Sequence, residues 1–323
     1  MSTPQPGVEV IVRPLVEGDL DGAQRIMRLA FGTFLGLPDP LLFMGDASYA
    51  HTRWRADPAA ALAAERSGEL IGSNFVTDWG SFGFFGPLTV HPEYWDRRVA
   101  QQLVAAAMTI FRQRKNRHLG LYTFSNSPKH VALYQKFGFW PRDLVAIMDR
   151  EVTGAQRERP RETSRFSQAN PDERTHVLSA CREVANANFE GLDVGTEIRA
   201  VAEQSLGDTI LLSSGASLVG FAICHVGAGT EAGSGVCYVK FAAVRPGPRA
   251  AGNFSQLLDA CEFLAGACGA QKITLGVNLA RREAFRELSE RGFRTEMQGV
   301  AMETGDASAG YNHAGVYILD DWR

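Results

Sequence analysis

The feature that most restricts the fold is an internal repeat. Shifted by 154 residues the chain meets itself, with Val90 falling on Val244, Pro92 on Pro246 and Gly138-Phe139 on Gly292-Phe293. The order of hydrophobic patterns around these landmarks agrees as well, so the 323 residues read as two similar halves. In the first, "VEVIVRPL" (8–15) is a strand, and Asp19 stands where the following helix, "LDGAQRIMRLAF", takes a cap. A second helix is expected within 40–56. "AALAAER", a turn over 67–69 and "LIGSNFVTDW" make a hairpin, and "SFGFFGPLTV" (81–90) makes a further strand. Val99, Leu103, Val104, Ala107, Met108 and Phe111 recur at helical spacing. A short strand "HLGLYTF" follows, then a helix "SPKHVALYQKF" capped by Ser127 with Pro128 at its first position, then a strand "FWPRDLVAIMDR". The second half repeats the order: a helix over 171–187, a hairpin over 209–226 turning at Ser214-Gly215, and a strand over 235–244. A helix over 252–267, the strand "KITLGV", the helix "RREAFRELSERG" and a last strand complete it, the charges on that helix reading as a solvated face. The polar stretch "TGAQRERPRE" (153–162) reads as a linker, giving expected domains at 1–152 and 163–323.

Composition narrows the function classes. With 45% hydrophobic and 21% charged residues, each half has enough apolar material for its own core. A net charge of −3 implies no general affinity for nucleic acid. The basic run "RQRKNRH" (112–118) sits at a helix C-terminus, where cations complement the dipole, and reads as solvated surface. Five cysteines, all in the second half and without a CxxC pair, argue against a disulfide framework and a zinc site. The histidines show no ligand spacing, so no metal is expected. The N-terminus lacks a signal-peptide pattern and no apolar run is long enough to span a bilayer, so a cytoplasmic protein without a membrane partner is expected.

Two stretches carry chemistry. In "LTVHPEYWDRRVAQQL" (88–103) a strand ends, a tight turn follows and a long helix begins. The N–H groups of such a turn have no intrahelical partners and carry the positive end of the helix dipole, a seat for phosphate to which Arg97 and Arg98 add charge. In "HVALYQKFGF", His130 and Tyr134 lie four apart on one helix face, and a phenol there is either a proton donor or an amphipathic core residue. Leu288 stands at the matching place in the second half.

Together, the element order, the turn after the fourth strand, "VHPEY" and "LYQKFGF" resemble the GNAT superfamily of acyl-CoA-dependent acetyltransferases, over essentially all of both halves. The resemblance implies an α/β (α+β) fold class: two tandem GNAT-like domains, each a mixed, mostly antiparallel central sheet flanked by helices. The family's pyrophosphate motif, Gln/Arg-x-x-Gly-x-Gly/Ala, falls on Trp95, Asp96, Arg97, Arg98, Val99 and Ala100, with Arg98 in the glycine's place. In the second half it falls on Arg249 to Phe254, where Gly252 fits and Phe254 does not. By this resemblance acetyl-CoA is the co-substrate and lies in the splay between the strand ending near Val90 and that ending near Phe124. Leu88, Thr89 and Val90 are expected to pair with the pantetheine arm, residues 95–100 to hold the pyrophosphate, and Asn126 to bond the pantetheine. Tyr134 is the expected general acid, in a direct transfer from acetyl-CoA to a primary amine of a small molecule or peptide. Asp78, His91 and Glu93 are base candidates by position, and "DWGSFGFFG" (78–86) is either acceptor wall or strand core. The first half is then catalytic and the second degenerate, in a monomer or homodimer. A non-catalytic acyl-CoA-binding or regulatory protein is the alternative, and another acyl-CoA reaction such as decarboxylation a third.

Overall fold

A computed structural model describes residues 9–152, 160–305 and 310–323. Most of the expected linker, 153–159, lies outside them. The first half contributes β1 (Ile11–Pro14), α1 (Leu20–Phe34), α2 (Ala50–Ala56), β2 (Ala61–Arg66), β3 (Glu69–Trp79), β4 (Phe82–Phe85), β5 (Thr89–Val90), α3 (Val99–Arg114), β6 (His118–Thr123), α4 (Pro128–Gln135) and β7 (Trp140–Glu151). The second contributes β8 (Thr163–Arg165), α5 (Pro171–Asn188), α6 (Gly195–Glu203), β9 (Gly207–Ser214), β10 (Ser217–Gly227), β11 (Gly233–Val244), α7 (Ala250–Ala267), β12 (Lys272–Asn278), α8 (Arg282–Glu290), β13 (Arg294–Glu303) and β14 (Ile318–Leu319).

The strands run in one sheet, in the order β1-β2-β3-β4-β6-β13-β7-β12-β11-β10-β9-β8, with β5 on β3 and β14 on β11. The order is a palindrome about the β13–β7 pair: strands related by the repeat occupy mirrored places. Each half's last long strand is exchanged. β13 lies between β6 and β7, and β7 lies between β13 and β12, all antiparallel. The only parallel pairings among the described strands are β4 with β6 and β11 with β12. The three largest apolar clusters draw on both halves, and one of them packs Trp79, Phe82 and Phe84 against Phe221, Phe241, α5 and α6. The aromatic stretch 78–86 is therefore mainly core, with Phe85 packed on the α3 side.

Several local readings change. Asp19 makes no side-chain cap hydrogen bond to α1; it accepts from Arg13 Nη1 at 2.6 Å and from the Val16 N–H at 3.0 Å. Within 40–56 only Ala50–Ala56 is α-helical, after a 3-10 turn at Pro40–Leu42. The segment 81–90 is broken into β4 and β5, with Gly86-Pro87 between them, and the sheet opens at that break. The basic run is not uniformly solvated, since Arg114 pairs with Asp57 at 2.5 Å and buried His118 meets Glu303 at 2.9 Å. Helix α6 carries no expected counterpart. The "GF" of each repeat has a physical reason: Gly138 (φ 85°) and Gly292 (φ 89°) turn left-handed to end α4 and α8, and Phe139 and Phe293 N–H groups reach back to the Tyr134 and Leu288 carbonyls at 3.2 and 3.0 Å.

Candidate functional site

A cavity of about 570 Å³ opens where β4 and β5 part. One wall is 85–90, the other Tyr122, Thr123 and Phe124 at the end of β6, and α1, α3 and α4 close the remainder. On the first wall Leu88, Thr89 and Val90 present the expected backbone. β5 is hydrogen-bonded to β3 on its other edge, and the Val90 carbonyl already accepts from the Trp95 indole N–H at 2.7 Å, which leaves one lone pair.

At one end of the cavity lies the turn into α3. Asp96 (φ 63°) and Arg98 (φ 62°) both adopt the left-handed conformation that a side chain disfavours, so Arg98 keeps the backbone shape of the glycine it replaces. Val99, Ala100 and Gln101 form the first helical turn on the cavity wall, where N–H groups lack intrahelical acceptors. Lys129 of α4 pairs with the Asp96 carboxylate at 2.6 Å and lies over the Trp95 ring at 6.0 Å, which offsets the one carboxylate on this wall. Left-handed backbone, helix N-terminus and Arg98 together make a cradle with the donor set a pyrophosphate requires, and the cavity continues from it toward Tyr134. Two expected members stand apart. Arg97 stacks over Tyr94 at 5.3 Å and Asn126 is exposed, neither lining the cavity.

Tyr134 is buried on the cavity wall at the end of α4, with the Phe85 ring 5.8 Å away. Burial raises its pKa well above the ordinary tyrosine value, against the smaller opposing effect of Thr123, so it is a phenol and not a phenolate at neutral pH. One helical turn earlier His130 also lines the cavity, against Phe34 at 5.0 Å; burial, then Lys129, lowers its pKa and keeps it neutral. The three base candidates lie elsewhere. Asp78 is bound to Asn116 Nδ2 at 2.8 Å and the Gly80 N–H at 2.9 Å, His91 caps the turn at Glu93, and Glu93 is exposed.

The second half presents a different picture at matching positions. Its helix α7 begins at Ala250, three residues earlier in the repeat than α3, so Gly252 is inside a helix and not in a phosphate turn. Phe254 is fully buried and packs on Tyr317 at 5.2 Å. Ala242 and Ala243, the repeat partners of Leu88 and Thr89, pair with Leu319 and Ile318 of β14, and the Val244 N–H donates to the Tyr317 carbonyl at 3.3 Å. Buried Arg281, the partner of Ser127, donates to the Ile318 carbonyl at 2.9 Å and pairs with Asp320 at 3.2 Å. Gly276, the partner of Tyr122, makes room: a Cβ there would lie 2.2 Å from that of Asp321. The chain's own segment thus fills the second splay, where Leu288 is also fully buried.

A buried charge network joins the halves beneath the first splay. Arg53 of α2 donates to Glu231 at 2.9 and 3.0 Å and to the Gly86 carbonyl. Lys240 bridges Glu231 at 2.8 Å and Glu197 at 3.0 Å. The adjoining 100 Å³ cavity includes fully buried His225, whose pKa is lowered to about 4 by burial and then by Lys240.

A sheet split beside a helix N-terminus, built in both halves, defines the class: this is the GNAT acetyltransferase fold. The Acetyltransferase (GNAT) family profile matches residues 28–139, the stretch that builds the open splay, and the two halves together have the fold of tandem GNAT proteins. No curated protein sequence matches. Among solved structures, a provisionally assigned acetyltransferase from Pyrococcus horikoshii is similar over 98% of this chain and 95% of its own, with 15% identity and a TM-score of 0.68. A GCN5-related N-acetyltransferase from Sphaerobacter thermophilus is similar over 91% and 95%, with 15% identity and a TM-score of 0.57. A tandem GNAT protein from the clavulanic acid biosynthesis pathway covers 93% and 100%, at 14% identity and a TM-score of 0.54. Among the described residues no cluster of three or more His, Cys, Asp or Glu has metal-site geometry, and no helix is long and apolar enough to cross a membrane.

Proposed function

We propose that the chain is an acetyl-CoA-dependent N-acetyltransferase with one active half, bounded near 1–152, beside a half near 163–323 that has given up its own slot. The observation that carries this is the contrast between the splays: one is a cavity running from the α3 cradle to Tyr134, the other is filled by 317–321. Acetyl-CoA supplies the acyl thioester. Residues 96 and 98–101 hold its phosphates, and residues 88–90 align the arm along β5. As the amine nitrogen bonds the carbonyl carbon and the C–S bond breaks, the Tyr134 phenol gives its proton to sulfur; the proton shed by nitrogen restores it through the site. His130 is the neutral imidazole on the wall positioned to take that proton.

Calorimetric titration of acetyl-CoA tests the assignment. One site per chain is expected, lost in Arg98→Glu and kept in Gly252→Glu, whose site has open space around it. Loss only in Gly252→Glu would overturn it. Retained binding without turnover of any amine, in wild type, would favour a binding or regulatory protein.

A further inference from the structure

Having filled the second splay, the segment 310–323 does not stop there. Beyond Asp321 it enters the first half's cavity, where Trp322 and Arg323 line the wall beside Gly86 and Tyr122. Trp322 packs on Phe82 at 4.8 Å and Tyr311 at 5.7 Å, which fixes the segment's path. The cavity lining includes the apolar and aromatic Met27, Phe31, Tyr49, Met297 and Trp322, and Arg323 is a cation of that lining besides Arg98, Lys129 and Lys136.

The guanidinium is half committed. Nε is ion-paired with Asp321 Oδ2 at 3.0 Å without a hydrogen bond, the Arg323 backbone N–H donates to Oδ1 at 3.1 Å, and Cζ lies 4.9 Å from the Tyr238 ring centroid. Asp321 is satisfied further by the Tyr238 hydroxyl at 3.1 Å to each oxygen. Nη1 and Nη2 make no hydrogen bond to any described residue, and the side chain keeps 13% of its surface exposed. A buried, oriented fork with free terminal donors in an apolar chamber is suited to a planar anion, to which it offers two parallel N–H groups.

We infer that Arg323 is a specificity-determining residue that receives the carboxylate of an acceptor whose body is apolar or aromatic: an amino-carboxylate, not a simple alkylamine. This deepens the acetyl-transfer reading and rests on it for the amine, but the anion site itself is tested by binding alone. The probe is 3-phenylpropionate, with 3-phenylpropionamide as its neutral isostere, titrated calorimetrically into the full chain with and without CoA. Wild type should bind the carboxylate at least tenfold more tightly than the amide. Arg323→Met should erase that preference while leaving CoA binding in place, and Arg323→Lys, which keeps the charge but loses the fork, should retain part of it. Equal binding of the two probes, no binding of either, or a preference that survives Arg323→Met overturns the inference. A carboxylate preference without any CoA binding would instead remove the acetyl-transfer reading and leave the anion site standing.

Discussion

Arg98→Gly should make the protein more stable. In the left-handed region a Cβ costs roughly 1–2 kcal/mol, because it crowds the following carbonyl. Arg98 carries that cost at the start of α3, where its φ is 62° and its side chain forms no cap hydrogen bond. Glycine removes it but widens the unfolded ensemble, giving back about 0.4–1 kcal/mol. The net gain is about 0.5–1 kcal/mol, a rise of roughly 1–3 °C in Tm for a chain of this size. Arg98→Ala is the control, since it deletes the same guanidinium but leaves a Cβ in the strained position and should bring no rise. Acetyl-CoA affinity should sort the variants differently: both lose a charge-assisted phosphate contact worth about 1.5–3 kcal/mol, so both should bind roughly tenfold or more weakly. Differential scanning calorimetry and titration on the three proteins decide it. If alanine stabilises as much as glycine, or glycine not at all, the strain argument is wrong; unchanged affinity in both would remove Arg98 from the cradle.

Tyr134→Phe should lower kcat by about 10²–10⁴-fold with acetyl-CoA affinity unchanged, checked by steady-state kinetics beside calorimetry. Glu231→Gln leaves buried Arg53 and Lys240 short of a counter-charge and should cost about 3–5 kcal/mol in urea unfolding. The His225 pKa is lowered to about 4 in the fold, so the unfolded chain binds its proton first. Stability should therefore fall as pH drops from 6.5 toward 4, by up to roughly 3 kcal/mol, and His225→Asn should flatten that slope. At the alkaline end burial raises Tyr49 (to about 12), Tyr122, Tyr134, Tyr238 and Tyr311. Above pH 10 the unfolded chain releases protons that the fold retains, so the unfolding midpoint should drop steeply there, followed by circular dichroism.

Sequence reading succeeded where local chemistry decides. The hairpins, the α3 periodicity and the Ser127-Pro128 start of α4 depend on neighbours a few residues away. At the two motif positions the letters and the conformation part. Gly252 fits the motif and is helical, while Arg98 stands in the glycine's place and keeps a left-handed backbone, because motif letters report conformational preference and not the conformation imposed by packing. Tyr134 against Leu288 was legible as an asymmetry. Its structural counterpart, β14 seated on Ala242 and Ala243, was not, since two residues of backbone pairing leave no periodic trace. Nor was the exchange of β7 and β13: either strand satisfies its pattern equally well in its own half or in the other. Arg323 was missed for the same reason, since only the path of the segment brings it to the first half's cavity.

The exchange also sets a clock on synthesis. His118 of β6 meets Glu303 of β13 across 185 residues of chain. At about 5–20 residues per second, roughly 10–35 s separate their emergence from the ribosome. Until then β6 has an open edge, and Trp322 and Arg323, which complete the cavity wall, come later still. The half with the open cavity is made first but finished last, so an early N-terminal product is a folding intermediate with an exposed strand.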